Sequence, residues 1–290
     1  NVGIKTGAAQ NMVALGFIEE KFGKTITWSE WFLYAAPFSI IMSIVLFFIM
    51  IKLIKPETDV IEGGKEVIAK QLAELGPLKG SEIRLIIISI TLLFLWATEG
   101  ALHPFDTTTV TIIAIALLLA PKIGVYSWSE VERLIPWGTI IVFSVGIALG
   151  SVLLNTQGAQ WLSDTTFGTL GLDSMPLLAT IAVVTLFNIL IHLGFASATS
   201  LASALIPVFI VLASTITADG DQQIGFILIQ QFVISFGFLL PISAPQNMLA
   251  YGTGAFTTKD FLKSGIPLTI IAYILVMIFS ATYWQWIGLL

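Results

Sequence analysis

The sequence contains no cysteine and few charged residues. Without cysteine the chain can form neither disulfides nor thiolate metal sites, and the redox compartment stays open. Charged residues make up 11% of the chain, whereas soluble domains have about a quarter. There is no basic stripe, which argues against nucleic acid as a partner, and no positively charged signal sequence at the start. With no cysteine, two distant histidines and no HExxH motif, nothing indicates an enzyme.

Apolar residues are present in excess. The chain is 56% hydrophobic, with a mean hydropathy of +0.94. Since a fold in water could not bury this much apolar surface, we expect the lipid bilayer to be the solvent. A spanning helix needs about 20 mostly apolar residues, and several segments of that length are separated by short polar connections. The sequence therefore predicts an all-α, polytopic membrane protein.

One phrase occurs twice, near the two ends of the chain. QNMVALG at 10–16 is matched by QNMLAYG at 246–252. Each copy is followed by a Thr-led phrase and a proline, at 27–37 and 257–267, and then by a long apolar run. In transporters built from two homologous halves, the ligand site lies where the halves meet. We therefore predict an inverted-repeat transporter, with the two copies related by a pseudo-two-fold axis in the membrane plane.

This repeat divides the chain into three parts. Residues 1–54 end the first repeat with a helix break and a span, residues 55–82 form a charged linker, and residues 83–290 form the second repeat. Because only a short stretch precedes the first copy, we expect a fragment lacking most of its N-terminal repeat; the alternative is a complete protein with a short first half. The distribution of Lys and Arg predicts a cytoplasmic linker and an external C-terminus.

Two segments of the second repeat differ from simple spans. Residues 176–215 are apolar on both sides of a small, hydroxylic stretch that has no turn-forming residues, which predicts a re-entrant hairpin with its tip at membrane depth. Residues 224–254 are too long for one span and are interrupted by two prolines, which predicts a broken helix. Residues 266–290 form the last span.

These motifs together resemble the divalent anion:sodium symporter family of di- and tricarboxylate and sulfate transporters. In that family each half has a Ser-Asn-Thr motif at a hairpin tip and then a Thr-Pro-Pro-Asn-like helix break. The matching phrases here are Ser-Ala-Thr at 197–199 and Ser-Ala-Pro-Gln-Asn at 243–247, and residues 26–31 with 55–57 look like the family's mid-chain signature. The resemblance covers essentially the whole chain, as the C-terminal two-thirds of a family member. It implies sodium-coupled, elevator-type transport of small organic anions by a homodimer in the cell membrane.

Physical chemistry agrees with the site that the resemblance implies. Positive helix N-termini and free amides can hold an anion, and free carbonyls at helix C-termini can hold a cation such as Na+. A site built in this way needs no Arg or Lys, which would be costly in the membrane. The candidate substrate-binding residues are Ser197, Ala198, Thr199, Ala244, Pro245, Asn247 and Asn11. The candidate sodium ligands are Gly3, Gly7, Ala196 and Ser243.

Each of these residues also has a structural interpretation. Ser197 and Thr199 could serve only as interhelical contacts, and Asn11 and Asn247 could each bond the exposed backbone of a break. A further histidine, His192, is either a proton-coupling group or a hydrogen-bonded structural residue.

Some positions depart from the family's pattern. Ala198 replaces the Asn of Ser-Asn-Thr, Leu193 stands where a Thr helps to bind one sodium ion in the relatives, and Ala244 and Gln246 replace Thr and Pro. Because Leu193 and Ala198 offer no side-chain oxygen, we predict weakened or altered sodium coupling. The alternatives are a proton-coupled or exchange-type carrier of another anion, and a membrane fragment that does not transport. Lys5, inside the first break, is either a fixed positive charge in place of a sodium ion or a snorkelling surface lysine.

Overall fold

The computed structural model describes residues 2–54 and 63–290. Within these ranges the regular secondary structure is helical, apart from one isolated bridge between Glu99 and His103. This confirms the all-α class predicted from composition. The helices, in chain order, are α1 (Ala9–Phe22), α2 (Trp28–Leu53), α3 (Gly64–Leu75), α4 (Gly80–Ala97), α5 (Thr107–Leu119), α6 (Trp128–Val131), α7 (Trp137–Asn155), α8 (Gly158–Phe167), α9 (Leu177–Ile191), α10 (Ala198–Ile216), α11 (Gly220–Ile234), α12 (Pro245–Gly252), α13 (Thr258–Ala281) and α14 (Tyr283–Trp286).

Several helices have the length and composition of a membrane span. Five stretches of the described residues qualify: α2, α4, α9 with the 3-10 turn that follows it, α10, and α13 with α14. Helices α7 and α8, bent by 79° at the break between them, form a further candidate. Outward apolar side chains such as Phe47 and Phe48 are 60% and 58% exposed, which suits lipid. The protein is therefore an integral, multi-pass membrane protein.

Side-chain caps define where several helices start. Asp106 accepts a hydrogen bond from the Thr109 amide at the start of α5, and the bonds from Thr109 lower the pKa of the Asp106 carboxyl. Asp219 caps α11 in the same way. Thr257 and Asp260 cap α13 reciprocally. Such caps satisfy amide groups that have no partner inside the helix.

The described residues form two compact units. Those of the larger unit fall within Asn1–Ile26, Glu30–Leu53 and Trp137–Leu290. Its centre is α11, in which every residue from Ile224 to the end of the helix at Ile234 is buried. Helices α9, α10 and α1 pack around α11, and α10 also packs against α7 and α8. The core of this unit therefore brings residues from both ends of the chain together.

The smaller unit falls within Thr27–Ser29 and Ile54–Pro136, and α4 packs against α5 in it. The buried Glu99 carboxylate accepts hydrogen bonds from the Trp28 amide at 2.8 Å and from the Thr107 amide and hydroxyl at 2.9 and 2.7 Å. Residues 55–62 of the predicted linker lie outside the described residues. The rest of the linker contains the exposed helix α3 and the first residues of α4, which begins at Gly80.

Helices are interrupted within both segments that the sequence set apart. In the predicted hairpin, α9 ends in a 3-10 turn at His192–Gly194, and α10 begins at Ala198. Both arms have the length of a span, so the re-entrant course stays a prediction. In the predicted broken helix, α11 ends at Ile234 and α12 begins at Pro245, with a 3-10 turn at Pro241–Ser243 between them.

Candidate functional site

The segments just before the two copies of the repeated phrase share one backbone conformation. Ile4 is extended at φ −125° and ψ 122°, a 3-10 turn follows, and Ala8 is extended at φ −156° and ψ 145° before α1 begins. Before the second copy Leu240 has φ −128° and ψ 139°, a 3-10 turn follows, and Ala244 has φ −151° and ψ 145° before α12 begins. We call residues 4–8 the first break and residues 240–244 the second break.

The long helix that follows each break contains an internal proline, Pro37 in α2 and Pro267 in α13. Contacts join α2 to the end of α13 and to α14, which follows it. Trp284 Nε1, just beyond α13, donates to the Tyr34 carbonyl near the start of α2 at 2.8 Å. Further along α2, the Phe38 ring packs against Phe279 of α13, with their centroids 5.7 Å apart. The first half of α2 therefore packs against the end of α13 and against α14.

A third interruption lies at the start of α10. Ser197 is extended, and its side chain accepts a hydrogen bond from the Ser200 amide at 3.3 Å. Ala8 and Ala244, at the starts of α1 and α12, provide no side-chain cap. Of these three helix starts, only that of α10 is capped by a side chain.

A cavity of ≈ 630 Å³ lies where these helix starts converge. Its walls come from α1, α7, α10 and the segment around the second break. The lining residues are Ala8, Ala9, Gln10, Gly138, Val142, Ser197, Ala198, Thr199, Ser200, Ser235, Gly237, Ser243, Ala244 and Gln246. No ionisable side chain occurs among these lining residues.

The polarity of this cavity comes from helix ends and hydroxyl groups. The first turns of α1, α7, α10 and α12 all contribute to its wall. A helix N-terminus carries unpaired amide groups and about half a positive charge, and both favour an anion. Hydroxyl groups of Ser197, Thr199 and Ser200 add donors at the same place. The cavity can therefore bind a small anion without a cationic side chain.

The structure brings most of the predicted substrate residues together. Ser197, Ala198, Thr199 and Ala244 all line the cavity, and Pro245 begins the adjoining helix α12. The two asparagines do not line it. Asn247 lines a neighbouring cavity of ≈ 340 Å³, on the side of the second break where Phe38, Met42 and Leu268 lie.

Both asparagines bond backbone carbonyls. Asn11 is buried, and its Nδ2 donates to the Ile4 carbonyl at 3.2 Å and the Lys5 carbonyl at 3.4 Å. Asn247 Nδ2 donates to the Gly237 carbonyl at 2.8 Å. These bonds agree with the structural alternative considered for both residues: each amide holds the backbone of a helix interruption.

The predicted sodium ligands lie in two places. Ser243 is buried and lines the cavity, and Ala196 directly precedes the lining residue Ser197. Gly3 packs against Ser39 of α2, while Gly7 closes the 3-10 turn of the first break. Among the described residues no group of three or more His, Asp or Glu side chains could hold a metal ion. A cation here would therefore depend on carbonyl and hydroxyl oxygens.

Lys5 and His192 are both inside the protein. Lys5 is 4% exposed, so its interpretation as a surface lysine is wrong, and its role as a fixed charge stays a prediction. His192 is 3% exposed, and its ring lies close to the Ser243 backbone of the second break. Proton coupling and a hydrogen-bonded structural role both stay predictions for His192.

Several lining residues were not predicted as ligands from the sequence. Ala8, Ala9 and Gln10 come from the first break and the start of α1, Ser200 from α10, and Ser235 from the end of α11. The repeated Gln-Asn-Met phrase pointed to the segment that contains Gln10. Ser235 lies apart from any motif, and the sequence contained no signal for it.

The fold and the cavity define the class of protein. It is a multi-pass membrane protein with broken helices, and helix ends meet at a cavity that is suited to binding an anion. The family model described as the sodium:sulfate symporter transmembrane region matches residues 1–290, and the chain belongs to this family. This confirms the family resemblance inferred from the motifs.

Relatives of the chain include named transporters. A membrane protein of Cupriavidus necator is 46% identical over 99% of this chain and 56% of its own length. A sodium-dependent dicarboxylate transporter of Staphylococcus saprophyticus is 24% identical over 96% of this chain and 55% of its own length. A citrate/succinate antiporter of Escherichia coli is 26% identical over 90% of this chain and 52% of its own length. The chain thus spans about half the length of these relatives.

Proposed function

We propose that the protein containing this chain is a secondary active carrier of small organic anions of the di- and tricarboxylate type. The observation that carries this proposal is the convergence of four helix N-termini on one cavity without an ionisable lining residue. Helix ends attract a carboxylate yet hold it less tightly than a buried Arg or Lys, so the anion can be released. The named functions of the relatives, a dicarboxylate transporter and a citrate/succinate antiporter, support the substrate class.

Coupling to sodium is the finer part of this proposal. The family description and one relative's name mention sodium, and the oxygen atoms near Ser243 and Ala196 suit a hard cation. Exchange of one anion for another is the second candidate. It is favoured by the antiporter relatives and by Leu193 and Ala198, which offer no side-chain oxygen.

Uptake into proteoliposomes tests both candidates. The full-length gene product would be assayed with radiolabelled succinate and citrate, under an inward sodium gradient or with unlabelled succinate inside. A sodium-driven carrier accumulates label with the gradient alone, whereas an exchanger requires the internal anion. Uptake no greater than in empty liposomes under either condition, for these anions and for sulfate, would contradict the proposal.

Cysteine labelling tests the location of the site. Because the chain has no cysteine, Ala198→Cys in a background without other cysteines places one thiol at the cavity. We expect a water-soluble maleimide to label it, and succinate to protect it. Ala101→Cys, at an exposed position of the smaller unit, is the matched control and should label equally with and without succinate. If succinate does not slow the labelling of the Ala198→Cys variant, the site is contradicted.

The resemblance also leads us to propose an inverted repeat, an elevator-like movement and a homodimer. The matching backbone of the two breaks supports the inverted repeat. The Lys and Arg distribution supports a cytoplasmic linker and an external C-terminus. An impermeant maleimide applied to intact cells should then label Gln285→Cys but not Ala69→Cys, and the reverse pattern would contradict this orientation.

A further inference from the structure

Two neighbouring glutamines near the end of α11 are fully buried and bond in different directions. Gln230 Nε2 donates to Thr185 Oγ1 at 3.2 Å, and Gln230 Oε1 accepts from Asn188 Nδ2 at 3.3 Å, so the Gln230 side chain is directed at α9. Gln231 Nε2 donates instead to Asn11 Oδ1 in α1, at 3.2 Å. The Oε1 atom of Gln231 makes no hydrogen bond among the described residues. The side-chain hydrogen bonding of Gln231 is therefore directed at Asn11.

Asn11 in turn bonds the backbone of the first break. Its Nδ2 bonds the carbonyls of Ile4 and Lys5, where the break begins. A continuous series of hydrogen bonds therefore joins α11, through two buried side chains, to the backbone of the first break.

A second bond lies one turn further along the chain, just beyond α11. Ser235 Oγ accepts from Gln10 Nε2 at 3.3 Å, and both residues line the cavity. Gln231 and Ser235 therefore both bond the start of α1, through Asn11 and Gln10. Of these two residues, Ser235 lines the cavity and Gln231 does not.

We infer that Gln231 is a positioning residue of the anion site, which acts through Asn11 to hold the first break against α11. This inference rests on the proposed function, because it concerns the same cavity. Ala8 and Ala9 lie at the end of the break and the start of α1, and both line the cavity. A break held in place before the anion arrives does not have to be ordered by binding, so affinity is higher.

The paired substitutions Gln231→Met and Gln230→Met test this role. Methionine has nearly the length of glutamine but no amide, and the two positions share a helix and full burial. We expect Gln231→Met to raise the Kd for succinate about tenfold, since Asn11 loses a bond in a buried setting. We expect Gln230→Met to leave that Kd nearly unchanged, although it should lower thermal stability about as much as Gln231→Met does. Equal Kd values for the two variants would overturn the inference.

A double-mutant cycle with Asn11→Ala tests whether Gln231 acts through Asn11. The effects of Gln231→Met and Asn11→Ala on Kd should not add, because both interrupt one series of bonds, whereas Gln230→Met and Asn11→Ala should add. Additive effects for Gln231 and Asn11 would contradict action through Asn11. Should Gln231→Met fail to fold, Gln231→Asn keeps the amide but shortens the side chain and should shift Kd in the same direction.

A measurement without any anion separates this inference from the proposed function. With Thr6→Cys in the first break as a reporter, Gln231→Met should speed maleimide labelling severalfold over Gln230→Met. Equal labelling rates contradict the inference, even in a protein that binds succinate. A protein that binds none of the tested anions, yet shows the faster labelling, contradicts the proposed function alone.

Discussion

The first and second breaks follow the same backbone course, but different contacts secure them. At the first break, the Asn11 side chain donates hydrogen bonds to the carbonyls of Ile4 and Lys5. The same side chain accepts a hydrogen bond from Gln231 in the core. The segment around the second break lies between two cavities, and Asn247 bonds only the Gly237 carbonyl among the contacts resolved for its side chain. The asparagine at the first break thus bonds both the break and α11, whereas that at the second bonds a carbonyl of the interruption itself.

This difference extends to the helices that follow. In α13, Gly265 lies against the Phe238 carbonyl, just before the second break, and a Cβ there would collide with that oxygen. In α2, Ala35 precedes Pro37 as Gly265 precedes Pro267, and Ala35 is accommodated fully buried. The same helix–break arrangement thus tolerates a methyl group in one copy and excludes it in the other. Equivalent backbones need not have equivalent tolerance to substitution.

The largest effect should come from breaking the close approach at the second break. We expect Gly265→Ala to lower stability by about 2–3 kcal/mol, because the new methyl group must displace a backbone carbonyl rather than a flexible side chain. The thermal unfolding midpoint in detergent and the Kd for succinate would be measured. Gly16→Ala in α1, where a Cβ meets nothing within 4 Å, is the control and should be neutral or stabilising. Similar effects of both variants would disprove the close approach.

The next largest effect should come from removing the side-chain cap at the start of α10. Ser197→Ala would leave α10 uncapped, like α1 and α12, and remove a hydroxyl donor. We expect a loss of about 1 kcal/mol in stability and about a tenfold rise in the Kd for succinate. Ser214→Ala, in the same helix but bonded to the Ile210 carbonyl away from the cavity, should leave Kd unchanged. An unaltered Kd in Ser197→Ala would remove Ser197 from the site.

A smaller, more specific effect should follow from adding oxygen atoms near the start of α10. Leu193→Thr combined with Ala198→Asn should increase the sodium dependence of succinate binding severalfold, since carbonyls alone supply only part of a cation's shell. Kd would be measured across a sodium titration at constant ionic strength. Leu186→Thr, another exposed leucine in the same arm of the predicted hairpin, is the control. A steep sodium dependence already present in the unmodified protein, with more than one sodium ion per anion, would refute our interpretation of Ala198.

The smallest effect belongs to the connection between α1 and α2. Lys24 Nζ lies 2.6 Å from Asp221 Oδ1, and the hydrogen bond with Asp221 raises the pKa of Lys24. The corresponding connection before α13 ends in the local Thr257–Asp260 cap. Because Lys24 and Asp221 are largely exposed, Lys24→Met should cost less than about 1 kcal/mol at low salt, and still less at high salt.

The pH dependence of this contribution has a definite sign. A folded-state pKa above the ordinary lysine value means that the stabilisation is fully present below that ordinary value. It disappears as the pH rises through the raised pKa. Thermal midpoints of the variant and the unmodified protein should therefore differ equally between about pH 6 and pH 8, far below the lysine range. A difference that changes across this neutral range would point to another group.

Sequence alone predicted the class of protein and the segments within which helices are interrupted. Apolar composition and span-length segments predicted an α-helical membrane protein, because only structures that satisfy their own backbone can cross a bilayer. Pro241 and Pro245 marked the second break through their missing amide groups. The repeated Gln-Asn-Met phrase connected the second break with the first, which contains no proline.

Only the tertiary structure decided which side chains face the cavity. Asn11 and Gln10 are adjacent in the repeated phrase, yet Gln10 lines the cavity and Asn11 turns to Gln231. In a soluble helix, the alternation of polar and apolar residues shows which face is buried. In a membrane bundle, lipid and protein interior are both apolar, so this signal is weak. The contacts of Gln231 and Ser235 with α1 join opposite ends of the chain, and such contacts are set by the packing of helices rather than by local sequence.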